Sequence, residues 1–192
     1  MFLLGFLIIG LFIGLLLGGR MRNLRSYRLT SPFLPILALL LQILLFSESI
    51  PTARWTLALK AVLHVLSYIM LLVFFALNFK KPGFAIMGLG LLLNFAVISA
   101  NGGFMPTNRE ALSKAGFQTS GYASGTLHNN GIAKKTRLEI LGDVFSIPQG
   151  IPFSNVFSIG DVLIGLGASV AASRAVLGER YHSSIVRLRN SG

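Results

Sequence analysis

Apolar positions in this 192-residue chain come as long unbroken blocks, not as strand-like alternation or a one-faced helical stripe. Five blocks stand out, residues 2–19, 32–46, 55–79, 84–100 and 157–173. A helix that crosses a bilayer needs about 20 predominantly apolar residues, within a range of roughly 17 to 25. The pattern therefore predicts an all-α integral membrane protein: a single transmembrane domain built as a five-helix transmembrane bundle. The second block is the shortest and carries Gln42, so a short or tilted span is expected there. Pro32 and Pro35 fall in its first turn, where a missing backbone donor does least harm. The first block has no positive leader and no small-residue cleavage signal after it, so it is expected to stay as a helix.

Composition agrees with the pattern. Hydrophobic residues make up 53% of the chain and charged ones only 12%, more apolar surface than a soluble domain of this length can hide. Cysteine is absent, which removes disulfides, thiolate metal sites and thiol nucleophiles together. Net charge is +11, but the basic residues gather at the ends of the apolar blocks. Such clusters act as topology signals and contacts to lipid headgroups, so membrane lipids are expected partners and nucleic acid is not. Arg20, Arg22, Arg25 and Arg28 separate blocks one and two, Lys80 and Lys81 separate three and four, and Arg174, Arg180, Arg187 and Arg189 follow block five. Only Arg54, near Glu48, lies between blocks two and three. The positive-inside rule then puts the amino terminus outside and a basic tail, residues 174–192, in the cytoplasm. Trp55 suits the outer interface.

Residues 101–156 would form a partly ordered extracytoplasmic cap between helices four and five. Structureless loops of that length are uncommon, and this one carries organised signals. "TNREALSKAG" has Thr107 and Glu110 at capping-box spacing and ends on Gly116, which predicts a short helix. "TSGYASGTLHNNG" is a polar insert. "TRLEILGDVFSIPQGIPFSNV" turns apolar again, and Pro148 and Pro152 exclude a continuous helix, so it is expected on the membrane surface or folded back over the bundle.

Gly10, Gly14 and Gly18 recur every four residues on the first helix, and Gly165, Ser169 and Ser173 offer a matching small face on the fifth. Small residues at this spacing admit close helix approach. That contact serves packing within the chain or assembly into a homo-oligomer or larger membrane complex.

Ionisable groups inside a membrane are costly and mark candidate sites. Lys60, His64 and Tyr68 lie four apart on one face of block three. Either Lys60 reaches the outer surface while the other two bond neighbouring helices, or the three line a polar pocket. Gln42 and Asn94 are expected to bridge helices. Asn101, Gly102 and Gly103 in "SANGGFMP" make either an ordinary helix end or part of an outer ligand pocket. His64 is the histidine placed to meet a haem, yet a lone histidine on an apolar helix is more often simply hydrogen-bonded. No metal site is expected, because His64, His128 and His182 fall in three different regions, and no nucleotide-binding fingerprint is present. The sequence names no cofactor.

Asp161 opens the last block in "FSIGD". With Ser158 it fits a capping box, which accounts for it without chemistry. Brought close to Asp143 of "LGDVF", it would instead form a carboxylate pair able to share a proton and activate water.

The glycine-rich first helix running into "GGRMRNL", then "LLLNFAVISANGGFMPTNREAL", "TRLEILGDVFSIP" and "VFSIGDVLIGLG", in that order, resemble a bacterial family of small multi-span membrane proteins, domain of unknown function 5317. The resemblance implies the architecture and a place in the bacterial cytoplasmic membrane, and it carries no activity. "FSIGD" is also similar to the start of the final helix of signal peptidase II, with Phe157 and Asp161 in matching places, Ser158 replacing an asparagine, and Asp143 lacking the motif around that family's second aspartate. Three readings follow: a non-enzymatic structural or accessory subunit that binds a lipid or quinone-like ligand beneath the cap, an intramembrane aspartyl hydrolase using Asp143 and Asp161, or a small-solute transporter using Lys60, His64 and Asp161.

Overall fold

The computed structural model describes residues 2–46, 56–117, 130–131 and 136–178. Trp55, His128, His182, all of the polar insert but Asn130 and Gly131, and the tail beyond residue 178 lie outside the described residues. Five apolar helices form the body: α1 (Phe2–Leu16), α2 (Phe33–Phe46), α3 (Leu57–Leu77), α4 (Phe84–Ala100) and, last, α6 (Ile159–Leu177). A one-turn helix, α5 (Arg109–Lys114), and four very short strands lie between α4 and α6: β1 (Met105–Pro106), β2 (Asn130–Gly131), β3 (Phe145–Ile147) and β4 (Asn155–Phe157). Periodicity gave no notice of these strands, because two or three residues are too few to show alternation.

Two helices are long and apolar enough to cross a membrane, Ala58–Leu77 and Ile159–Leu177. The other three are apolar but shorter. The 14 residues of α2 rise roughly 21 Å, against a hydrocarbon core of about 30 Å. Outward faces of the helices are apolar throughout, with Ile8, Phe12, Ile36, Leu40, Val62, Leu89 and Leu166 all exposed.

Contacts run α1 to α6, α6 to α4, α4 to α3 and α3 to α2. Glycines set the two closest crossings. A Cβ on Gly10 would strike the backbone of Ser169, and one on Gly14 would strike Ser173 and Val176, so the small face of α1 is consumed inside the chain by α6. Ser169 Oγ adds a hydrogen bond to the Phe6 carbonyl at 2.5 Å, and Gly165 lies under the Phe6 ring. Gly18 departs from the expectation. The helix ends at Leu16, Gly18 turns the chain at φ 88°, and a side chain there would meet open space. Gly19 makes the close approach instead, against Val176. The α4–α6 crossing is equally close: Gly83 and Gly167 face each other's carbonyls, and seven residues on in the chain at α4 and seven back in α6, Gly90 and Gly160 do the same.

One end of this body is basic. A 3-10 turn, Met21–Ser26, is pinned to the end of α6 because Asn23 Nδ2 donates to the Val176 carbonyl at 2.6 Å and Arg20 N–H donates to the same carbonyl at 2.8 Å. Buried Asn78, at the end of α3, clasps Thr30 through both its N–H and its carbonyl, each at 2.9 Å. Lys81 sits over the Tyr27 ring. Arg20, Arg22, Arg25, Arg28, Lys80, Lys81 and Arg174 all belong to these turns and helix ends, and all four described carboxylates belong to the opposite end.

That opposite end carries the cap. Its helix α5 begins one residue later than the Thr107 capping box predicts: Asn108 is the cap, its Oδ1 accepting from Glu110 N–H at 2.8 Å and Ala111 N–H at 3.2 Å. Thr107 is taken up in backbone pairing with Asp143 instead. β1 pairs in parallel with β2, and β3 and β4 form an antiparallel pair with Phe145 opposite Phe157. Pro148 and Gly150 lie in the turn between β3 and β4, so the segment that the prolines barred from helix folds back as a hairpin.

Candidate functional site: a cavity between two carboxylates

The β4 strand delivers the chain into α6 through Ser158, and the capping box forms in full. Ser158 Oγ accepts from Asp161 N–H at 3.0 Å, while Asp161 Oδ2 accepts from Ser158 N–H at 2.9 Å. A capping box leaves one carboxylate oxygen for other work. Here Oδ1 accepts from Asn94 Nδ2 of α4 at 2.9 Å, and the buried Ser158 hydroxyl stands 2.9 Å from Asn94 Oδ1. The cap thus extends into a three-residue network joining α4 to α6. Gly160 permits it, since any Cβ there would collide with Asn94.

Asp143 comes from the other side. A single 3-10 turn, Glu139–Leu141, starts from Leu138 in the left-handed region at φ 58° and ends on Gly142. A Cβ on Gly142 would lie 2.5 Å from the Pro106 carbonyl, so only glycine lets the next residue dock. Asp143 then donates its N–H to Pro106 O at 2.9 Å and accepts from Asn108 N–H at 3.0 Å, which sews the acidic loop to β1. Its side chain is buried. Burial pushes the carboxyl up to about 7, the Asp161 carboxylate adds to the rise, and the Thr107 hydroxyl offsets part of it.

Both carboxylates line one cavity of about 440 Å³. Its polar wall is Tyr68, Asn94, Asp143, Asn155 and Asp161; its apolar wall is Phe2, Leu3, Leu4, Met105, Val156 and Phe157. Phe157 stacks on Phe2 at 4.3 Å between ring centroids and on Phe145 at 5.5 Å. The first turn of α1 therefore supplies the greasy side, and its Leu3 and Leu4 are also exposed outward.

Of the residues singled out from the sequence, the cavity brings together Asp143, Asp161 and Tyr68, with Asn94, which was expected only to bridge helices. The rest of the candidate ligand set lies elsewhere. His64 is buried with Nδ1 2.6 Å from the Gly103 carbonyl, so that nitrogen carries the proton and donates, and its ring stands edge-on to Phe46 and Tyr68. Asn101 is spent as a clamp: Nδ2 donates to Val97 O and Arg137 O, and Oδ1 accepts from Arg137 N–H, all at 2.8 Å. Gly103, at φ 95°, packs against Ala61, while Gly102 faces open space. Lys60 is half-buried near the start of α3 and is not part of the cavity wall. Gln42 bridges helices, donating to Ser67 Oγ at 3.0 Å. Among the described residues no group of three or more His, Asp or Glu is placed to hold a metal ion.

Asn155 escaped the sequence reading. It shares a strand face with Phe157, two residues on, and that period shows only once residues 155–157 are known to be a strand.

The family model described as Family of unknown function (DUF5317) matches residues 26–172. The chain is also similar to an uncharacterised protein of Thermotoga maritima, 27% identical over 157 residues that cover 81% of each chain. No solved structure matches it.

Proposed function

The chain belongs to the DUF5317 family, and on that premise we propose that it is a multi-pass protein of the bacterial cytoplasmic membrane that binds an amphipathic ligand, lipid or quinone-like, in the cavity beneath its cap. It serves as an accessory or structural subunit. The observation that carries this reading is the two-sided cavity, polar on Asp143, Asp161 and Tyr68 and apolar on the first turn of α1. The outward apolar faces of the helices support a bilayer around them, and the gathering of Arg20, Arg22, Arg25, Arg28, Lys80, Lys81 and Arg174 at one end, with no carboxylate beside them among the described residues, supports a cytoplasmic location for that end. To test it, wild type and Asn155→Trp, which fills the cavity, are purified in mild detergent and their bound small molecules extracted for mass spectrometry. An amphiphile near one per chain in wild type, and lost in the variant, is expected. Equal or empty extracts from both would overturn the reading. Impermeant amine labelling of Lys114 on intact spheroplasts is expected to succeed, and labelling only after lysis would invert the orientation.

A second reading is hydrolysis by a carboxylate pair. It is favoured by the placing of both carboxylates on one cavity, with Asp143 holding its proton near neutral pH. Acyl and peptidyl fluorophores in micelles would be cleaved by wild type and by neither Asp143→Asn nor Asp161→Asn; no cleavage by wild type removes this reading.

A further inference from the structure

The cavity also constrains the charge of what enters it. Among the described residues no Lys, Arg or His contributes to its wall. Asp161 receives its hydrogen bonds there only from neutral groups, the Asn94 amide and Ser158. The capping box and the helix N-terminus keep Asp161 as a carboxylate, and a negative charge at the mouth of an apolar body attracts a cation more strongly than it would in bulk water. Tyr68 supports an occupant of this kind independently. Its ring is packed against His64 and Phe95, yet its hydroxyl finds no hydrogen-bond partner among the described residues while it lines the cavity within electrostatic reach of both carboxylates.

We propose that the cavity takes a protonated amine carried on an apolar chain, with Asp161 as its counter-ion and the Tyr68 oxygen accepting one of its N–H bonds. This narrows the reading of the cavity as an amphiphile site and rests on it. An anionic headgroup would meet like charge, and a neutral quinone would make no charge-assisted contact with Asp161. Asp143 has partners of its own and is not needed as the counter-ion. The apolar chain would leave past Leu3 and Leu4.

The test uses the full chain in phosphatidylcholine nanodiscs, with empty nanodiscs as the blank, titrated with dodecylamine, dodecanol and laurate. Dodecylamine is expected to bind about tenfold or more tightly than dodecanol, a ratio set by one charge-assisted contact, and laurate is expected not to bind. Asp161→Asn should erase the preference. Because that substitution also touches a helix cap, Tyr68→Phe serves as the second variant, expected to weaken the amine several-fold and leave dodecanol unchanged. Equal binding of amine and alcohol by wild type, or a Tyr68→Phe variant that binds both as wild type does, overturns the amine inference alone. Failure of all three probes to bind overturns the amphiphile reading with it. Adding phosphatidylethanolamine to the disc identifies the source: competition with dodecylamine marks a lipid headgroup, and none marks a free amine.

Discussion

The two ends of the body solve opposite problems with the same side chain. At the basic end, Asn23 and Asn78 tie short turns onto helix ends, and the Gly83–Gly167 contact closes α4 on α6 backbone to backbone. Among the described residues that end presents an arginine-rich surface. At the cap end, Asn101 ties down a much longer segment at Arg137, and past Gly90 and Gly160 the α4–α6 seam passes from glycine contacts to the polar network of Asn94, Ser158 and Asp161. Space and charge appear together where the seam stops being glycine. A bundle of this size gains tightness by removing side chains, and it can hold a cavity only where it keeps them.

The comparison breaks most completely at the seam. Gly160→Val would drive a branched side chain into Asn94 and the Gly90 carbonyl, an overpacking that costs about 3 kcal/mol or more where backbone must yield. Loss of a folded peak in detergent size exclusion is expected. Gly5→Ala, placed where a Cβ meets nothing within 4 Å, is expected to match or exceed wild type in the same assay.

The asparagine clamps sharpen it further. Asn78→Ala removes both hydrogen bonds to Thr30, at about 0.5–1.5 kcal/mol each, and should lower the melting temperature of the whole protein. Asn101→Ala frees Arg137, and its effect is expected to be local: faster hydrogen exchange across residues 136–143 with a melting temperature closer to wild type. Equal losses in both variants would erase the distinction between a sealed end and a lidded one.

The gentlest probe is pH. Asp143 is raised to about 7 in the folded protein from an ordinary carboxylate value near 4, so the folded state binds the extra proton across that interval. Its favourable contribution is complete below about pH 4 and declines as pH rises to about 7. The slope is at most about 1.4 kcal/mol per pH unit. Asp143→Asn should flatten it. A melting temperature that rises over the same interval in wild type and stays unchanged in the variant would contradict the burial of this carboxyl.

Much of the one-dimensional pattern carried through to the structure. The block at residues 84–100 is α4 to the residue, and the other blocks differ from their helices by a few positions at the ends. Ser158 and Asp161 form the cap their spacing announces, because a capping box is closed by contacts only three residues apart. Thr107 failed as a cap for a local reason too: Asn108 is the better acceptor for the first free N–H groups, and the Thr107 backbone was claimed by the distant Asp143. The α4 glycines were passed over, since Gly83 and Gly90 make sense only beside Gly160 and Gly167.

By itself, then, the sequence determined what is written in runs and near neighbours: apolar helices, their caps, and the clusters of basic residues between the apolar blocks. Only the tertiary structure decided that Asp143, Asp161 and Tyr68 share one cavity while His64, Lys60 and Asn101 do not. The physical reason is range. Helix and cap energies act within a few residues, whereas the cavity is what remains when five helices and a hairpin have each found the closest approach their glycines and asparagines allow.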